Sequence, residues 1–271
     1  MKKIVFVIFS LIIGGHLFAQ ELFTYTEPAS NMAAHSFGIR STQTLMKSEE
    51  GNHYSLHFLP ECMWAFSRKF MAHVEGFFSN RNGSFVGEGG GVYGKYRFYS
   101  NDDIHSHFRM AFYGQFSMNT SDVHREAIDL KGHNSGYELG LVFTKLQHKT
   151  AVSGSFSTVH ALSNGSNADQ KFPDRSRSAI GYTLSVGQLV LPKNYISYNQ
   201  VNWNIMLEML GQTNLETKKS YLDLAPVLQW VILSKMRVDL GYRFAMMKNL
   251  SRSNPEGFLL RFEYNFFNVF K

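Results

Sequence analysis

Apolar and polar positions alternate along most of this chain. Over residues 236–246, Met236, Val238, Leu240, Tyr242, Phe244 and Met246 are apolar, and Arg237, Asp239, Gly241, Arg243 and Ala245 between them are charged or small. A period of two is the side-chain repeat of a β-strand. A run of about eleven such residues is the length of a tilted strand crossing a bilayer, roughly twice that of a strand in a soluble sheet. Similar segments recur at 35–46, 52–63, 69–79, 90–99, 104–118, 135–146, 149–160, 179–190, 199–210, 220–232, 235–247 and 256–268. Phe77 interrupts the alternation of its segment, and Pro60 and Pro226 fall inside others. A closed sheet has no edge where a proline is free, so each proline predicts a bulge.

The connections alternate as well. Those centred on Ser67, Asp102, Gln147, Lys193 and Ser234 are short, and those at 47–51, 80–89, 119–134, 161–178, 211–219 and 248–255 are longer. The pattern predicts an all-β fold, an antiparallel transmembrane β-barrel of about twelve strands with short periplasmic turns and longer extracellular loops. The competing fold, a soluble secreted β-sandwich, would have to expose aromatic residues along strands of twice the usual length.

The first residues read differently. Lys2 and Lys3 precede an apolar run from Ile4 to Phe18 that ends at Ala19, the layout of a secretory signal peptide. The chain therefore divides into a signal peptide at 1–19, a periplasmic N-terminal segment at 20–34 and an outer-membrane barrel at 35–271. Composition agrees. Aromatics reach 15% while charged residues make up only 18%, against about 25% in soluble domains. One cysteine excludes an internal disulfide and a cysteine-based zinc site. Two of the formal +6 charges, Lys2 and Lys3, leave with the leader. No Lys/Arg run remains to suggest a nucleic-acid partner. The partners expected are outer-membrane lipid, the barrel assembly machinery and a small polar solute. Tyr264-Asn265-Phe266 resembles the terminal aromatic signature that such machinery reads.

Parity assigns the polar face to the lumen. It carries Arg40, Lys95, Arg97, Arg109, Arg237, Arg243 and Arg261 against Glu61, Glu75, Glu138, Glu208, Asp223, Asp239 and Glu263. An unpaired interior charge is costly, so this balanced set predicts salt bridges lining or filling a narrow lumen. A row of small groups, Ser153, Ser155, Ser157, Gly181, Thr183, Ser185 and Gly187, marks the wall where free space is expected. Apart from His16, every histidine lies between His35 and His160. His53, His57, His73, His105 and His107 point inward by parity, and Glu61 faces His73 across a hairpin. Without a tight three- or four-ligand spacing, these are read as hydrogen-bonded lumen groups. No metal site and no cofactor are assigned.

Two resemblances follow from particular residues. Leu240-Gly241-Tyr242-Arg243-Phe244 and Phe262-Glu263-Tyr264-Asn265-Phe266 look like strands of the transporter-like barrels grouped under the phenol-degradation-pathway label. That likeness implies an outer-membrane barrel and passive transport of small solutes. His133-Asn134-Ser135 opens one strand with the parity of Tyr137 and Leu139. It is similar to the lipid-facing His-x-Ser pair of outer-membrane phospholipase A, in which an Asn orients the His. This alternative implies a lipid hydrolase with Ser135 as nucleophile, His133 as base and Asn164 as the orienting residue. Gly136-Tyr137 follows Ser135 where that family has Asn-Gly. A third reading places surface binding in the loops at 119–134 and 161–178. The principal expectation is a pore without enzymatic activity.

Overall fold

The computed structural model describes residues 22–47, 54–81, 83–121, 125–164, 177–194, 197, 199–253 and 255–270. The expected leader and His53 lie outside them. Twelve strands follow one another: β1 (Ser36–Lys47), β2 (Tyr54–Ala65), β3 (Phe70–Ser79), β4 (Val86–Asp102), β5 (Ser106–Asn119), β6 (Gly136–Gln147), β7 (Thr150–Ala161), β8 (Ser178–Leu191), β9 (Asn202–Asn214), β10 (Ser220–Ile232), β11 (Met236–Lys248) and β12 (Glu256–Phe266). Each pairs antiparallel with its neighbours in sequence. β1 also pairs with β12, from Phe37↔Phe266 to Lys47↔Glu256, and closes the barrel. Closure leaves the sheet without an edge strand, as a hydrocarbon surrounding requires.

The period-two pattern explains the wall. Ile39, Val74, Val92, Phe112, Leu139, Phe156, Leu184, Ile205, Leu240 and Phe262 stand exposed on the outside, whereas Arg40, His73, Lys95, Gln115, Ser153, Glu208 and Asp239 are buried inside. Exposed apolar residues ring the whole barrel, the surface that suits lipid and would aggregate in water. β1 begins and β12 ends at one rim, here the terminal end. All three tryptophans stand there, with Trp203 against Trp230 at 5.3 Å and Trp64 against Phe37 at 5.3 Å. Such amphipathic rings favour a membrane–water interface.

Both prolines depart from expectation in the same way. The strand keeps its register through each, and the ladder to one neighbour has a gap. Pro60 pairs with Ser41, but the β2–β3 ladder passes from Phe58↔Phe78 to Glu61↔Glu75. Pro226 pairs with Leu207, but the β10–β11 ladder passes from Leu224↔Phe244 to Val227↔Gly241. A missing N–H removes a bond on one side only, which a long barrel strand tolerates. The β10–β11 register shifts instead at Leu222/Asp223, where Met246 of β11 is the extra residue. Phe77 is an inward-facing aromatic, fully buried against the glycine-rich start of β4. A Cβ on Gly91 would meet the Phe77 ring at 3.2 Å, and one on Gly89 (φ +153°) would meet the Met118 carbonyl oxygen at 2.1 Å. Among the terminal-end connections, 192–201 is longer than its expected short turn.

Candidate functional site

The lumen is occupied by the chain's own N-terminal segment. Residues 22–34, expected on the periplasmic side, run inside the terminal half of the barrel. Met32 enters against Met63, Ala65 and Met71. The chain then climbs past Ala29, whose amide donates to Thr144 Oγ1 at 2.9 Å. It crosses the lumen at Glu27–Thr24 and descends to Phe23, which packs with Ala151, Met206 and Val227. A non-helical backbone inside a barrel needs partners for its own polar groups, and the inward side chains supply them. Glu208 accepts the amides of Thr24 (2.7 Å), Tyr25 (3.1 Å) and Thr26 (2.7 Å). Asp239 accepts the Thr24 hydroxyl at 3.0 Å, Arg237 donates to the Phe23 carbonyl at 2.5 Å, and Lys95 donates to the Pro28 carbonyl at 2.8 Å. Arg109 donates to Ser30 Oγ at 3.0 Å.

The remaining charges form ion pairs around this segment. Arg40 meets Glu263 (2.9 Å), Glu61 (3.2 Å) and Glu27 of the inserted segment (3.0 Å). Arg237 pairs with Asp239 at 2.6 Å and lies 3.7 Å from Glu263. Asp223 takes both Arg243 (2.6 Å) and Arg252 (2.5 Å). Arg261 donates to Thr42. Near the terminal rim, His107 and Arg109 share Asp102, at 2.9 and 3.0 Å, and Arg97 is half-buried beside a bulge. His105 departs from its parity assignment. It sits in the exposed turn between β4 and β5, stacked on His148, because the strand ends before it.

Above the segment lies a cavity of about 310 Å³. Its floor includes Tyr25 and Glu27, and its roof is residues 127–131 and His133 of the β5–β6 loop. That loop folds inward because its polar groups find partners across the mouth. Gln212 brackets Ile128 with two 2.9 Å hydrogen bonds, Ala127 donates to the Ser251 carbonyl, and Asn214 donates to the Glu126 carbonyl. Ile128 and Leu130 pack on Val159, Ala161 and Ala179. The neighbouring Glu75 carboxylate, 3.8 Å from Lys131, raises the lysine ammonium above its usual range. Ser155, Ser157, Gly181 and Thr183 of the small-residue wall line the cavity. The rest of that wall is covered from within: Ser185 bonds Thr26 at 2.8 Å, and Gly187 lies under Phe23. Tyr93 and Tyr113, stacked at 5.8 Å, also line the cavity.

His133, Ser135 and Asn164 come together, but not as a nucleophile and its base. All three precede or follow strands rather than lying in the lipid-facing wall, and His133 and Ser135 are buried. The Ser135 hydroxyl donates to the Asn119 carbonyl (3.1 Å) and accepts the Asn119 amide (2.8 Å). Asn164 accepts the Ser135 amide and donates to the His133 carbonyl, both at 2.7 Å. It fixes two backbones instead of an imidazole. The His133 ring meets Arg81 through Nε2 (2.7 Å) and Ser253 through Nδ1 (3.1 Å). A guanidinium donor at Nε2 leaves the proton on Nδ1. The sequence pattern placed the pair on the lipid side because parity was carried past the start of β6. Glu61, His73 and Glu75 offer ligand atoms within 4.8 Å of one another, but Arg40 and Lys131 already place positive charge on the two carboxylates.

Sequence reasoning missed the inserted segment and the tyrosines. Glu208 carried a usable signal: its cross-strand partners are Ser185 and Ala225, so the sheet offers it no cation.

The arrangement is that of a closed barrel with a polar, largely filled interior and a residual chamber. It is similar in fold to solved outer-membrane channels. An outer membrane channel from Pseudomonas putida F1 matches with a TM-score of 0.58 at 10% identity, over 91% of this chain and 100% of that one. The KdgM porin matches with a TM-score of 0.50 at 10% identity, over 84% of this chain and 99% of that one. No family model and no curated protein matches the sequence.

Proposed function

We propose that this chain is an outer-membrane channel for small polar solutes, exported by its N-terminal leader and closed in the present conformation by residues 22–34. The observation that carries the reading is the polar chamber of about 310 Å³ held inside a lipid-facing barrel. It is bounded on the terminal side by a segment anchored through hydrogen bonds and ion pairs that a displaced chain could exchange for water. The likeness in fold to a protein named as a channel and another named as a porin supports the same reading. Outer-membrane lipid and the barrel assembly machinery are the partners this reading requires. Passage would follow the wall of Ser155, Ser157, Gly181 and Thr183, where side chains are shortest.

The test is conductance in planar bilayers for the full chain and for a variant joining the leader to His35 without residues 22–34. The full chain is expected to conduct rarely and the variant steadily. A folded variant that remains sealed would overturn the proposal.

A further inference from the structure

We infer that the lumen chamber is a binding site for a small organic cation, with its ammonium group on the Glu138 carboxylate. The inference deepens the channel reading and rests on it for the route by which a ligand arrives.

Glu138 is singled out by its surroundings. Among the described residues, the other lumen carboxylates already have cations or backbone amides. Arg40 serves Glu61, Glu263 and Glu27, Arg237 serves Asp239, Arg243 and Arg252 serve Asp223, Arg109 serves Asp102, Lys131 serves Glu75, and three amides fill Glu208. Glu138 accepts one hydrogen bond, from the Tyr113 hydroxyl at 2.8 Å. Its cross-strand partners, Gln115 and Val159, are neutral. A half-buried carboxylate facing a chamber retains strong attraction for a positive charge, because few waters screen it.

The chamber around it is shaped for more than a bare ion. Its volume of about 310 Å³ falls at the lower end of small-ligand sites, roughly 300–1,000 Å³. The stacked Tyr93 and Tyr113 border it and give one side of the chamber an apolar lining for an alkyl body. Gly140 is part of the construction. A Cβ there would lie 2.5 Å from the Tyr113 ring, so only glycine lets that ring reach across β6 to Glu138. Ser155, Ser157 and Thr183 offer hydroxyls to the remaining ammonium protons. A primary amine with a short alkyl or hydroxyalkyl body fits this combination. A neutral sugar would leave Glu138 without a counter-charge, and a carboxylate would meet like charge there, while Lys131, Arg243 and Arg252, which also line the chamber, are held by Glu75 and Asp223.

Calorimetric titration of the full chain in detergent with n-butylammonium, acetate and glucose tests the inference. Heat-modifiable gel migration confirms that each variant is folded. We expect saturable binding of n-butylammonium at one site, weakened about tenfold or more in Glu138→Gln, with no binding of acetate or glucose. Gly140→Ala, which displaces the Tyr113 ring, is expected to weaken binding as well. Unchanged affinity in folded Glu138→Gln, binding of glucose in place of the amine, or no ammonium binding by the folded wild type would overturn it. Bilayer conductance separates the two proposals. A barrel that conducts without binding the amine sinks this inference alone, and one that binds the amine but stays sealed without residues 22–34 sinks the channel reading.

Discussion

Glu208→Gln is the substitution that most directly questions the anchoring of the inserted segment. In the structure one carboxylate oxygen takes the Thr24 amide at 2.7 Å and the other takes the Thr26 amide at 2.7 Å, while the Tyr25 amide reaches both, at 3.2 and 3.1 Å. Glutamine keeps the shape and one acceptor. Its NH2 group then opposes an amide N–H, donor against donor. Bonds to a charged acceptor contribute about 1.5–3 kcal/mol each and neutral ones about 0.5–1.5 kcal/mol, and a buried donor left unmatched costs about 1–3 kcal/mol. Two weakened bonds and one lost bond together remove about 3–5 kcal/mol from the closed arrangement. At about 1.4 kcal/mol per tenfold, the open-to-closed ratio rises by about 10² to 4 × 10³. The assay is single-channel recording in planar bilayers, read as open probability at fixed voltage. The fold is not at risk in the same way, because Glu208 sits on β9 between Ser185 and Ala225 and makes no ion pair that holds the wall. An open probability equal to the wild type, in a barrel with normal heat-modifiable migration, would refute the argument that these three amides hold the segment in place.

Two further tests address neighbouring features. Thr26 Oγ1 and Ser185 Oγ lie 2.8 Å apart, close enough for a cysteine pair to bond with little backbone movement. In a Cys62→Ser background, Thr26→Cys with Ser185→Cys is expected to lock the barrel shut when oxidised and to recover the wild-type open probability on reduction; an oxidised pair that conducts normally would contradict the gate. Ser135→Ala removes both hydrogen bonds to the Asn119 backbone and is expected to lower stability by about 1–3 kcal/mol, measured as the temperature of the gel-mobility transition. Phospholipid hydrolysis that is present in the wild type and abolished by this change would overturn the structural role assigned to Ser135.

The wall was legible in the sequence because a strand of a barrel reports on both of its surroundings at every second residue. Twelve segments, their approximate limits and the sides of Arg40, Glu61, His73, Lys95, Glu208 and Asp239 all follow from parity alone. What parity does not carry is position along the strand beyond its ends. His105 lies past the start of its strand, in an exposed turn, and His133 and Ser135 lie before Gly136, in the loop that folds inward. Extending a two-residue period into a turn gives a side at random. Pro60 and Pro226 failed as bulge markers for a related reason. A proline in a wide ladder removes one bond to one neighbour, and the strand can keep step with both.

The inserted segment was hidden because residues 22–34 have no periodicity of their own. Its place is fixed by what the barrel lacks. A ladder that only neutralised itself would pair each lumen charge with an opposite one on a neighbouring strand. Arg40 with Glu61 and Glu263 obeys this, as do Arg243 with Asp223 and Arg237 with Glu263, while Asp239 meets Arg237 along its own strand. Glu208 does not, and the residues directly opposite Lys95 in the ladder are neutral. The cross-strand partners are Ser185 and Ala225 for Glu208, Met71 and Tyr113 for Lys95, and Glu208 and Lys95 are both fully buried. A buried carboxylate facing no cation needs donors, and a buried ammonium needs acceptors and negative charge, which for Lys95 include Glu27 of the inserted segment at 3.6 Å. An extended backbone has both, with amides along one stretch and carbonyls along another. The three amides of Thr24–Thr26 on Glu208 and the Pro28 carbonyl on Lys95 are that solution. By the same reasoning Glu138, whose partners Gln115 and Val159 offer no charge and which among the described residues takes its hydrogen bond from the Tyr113 hydroxyl, is where the lumen still has capacity for a cation from outside.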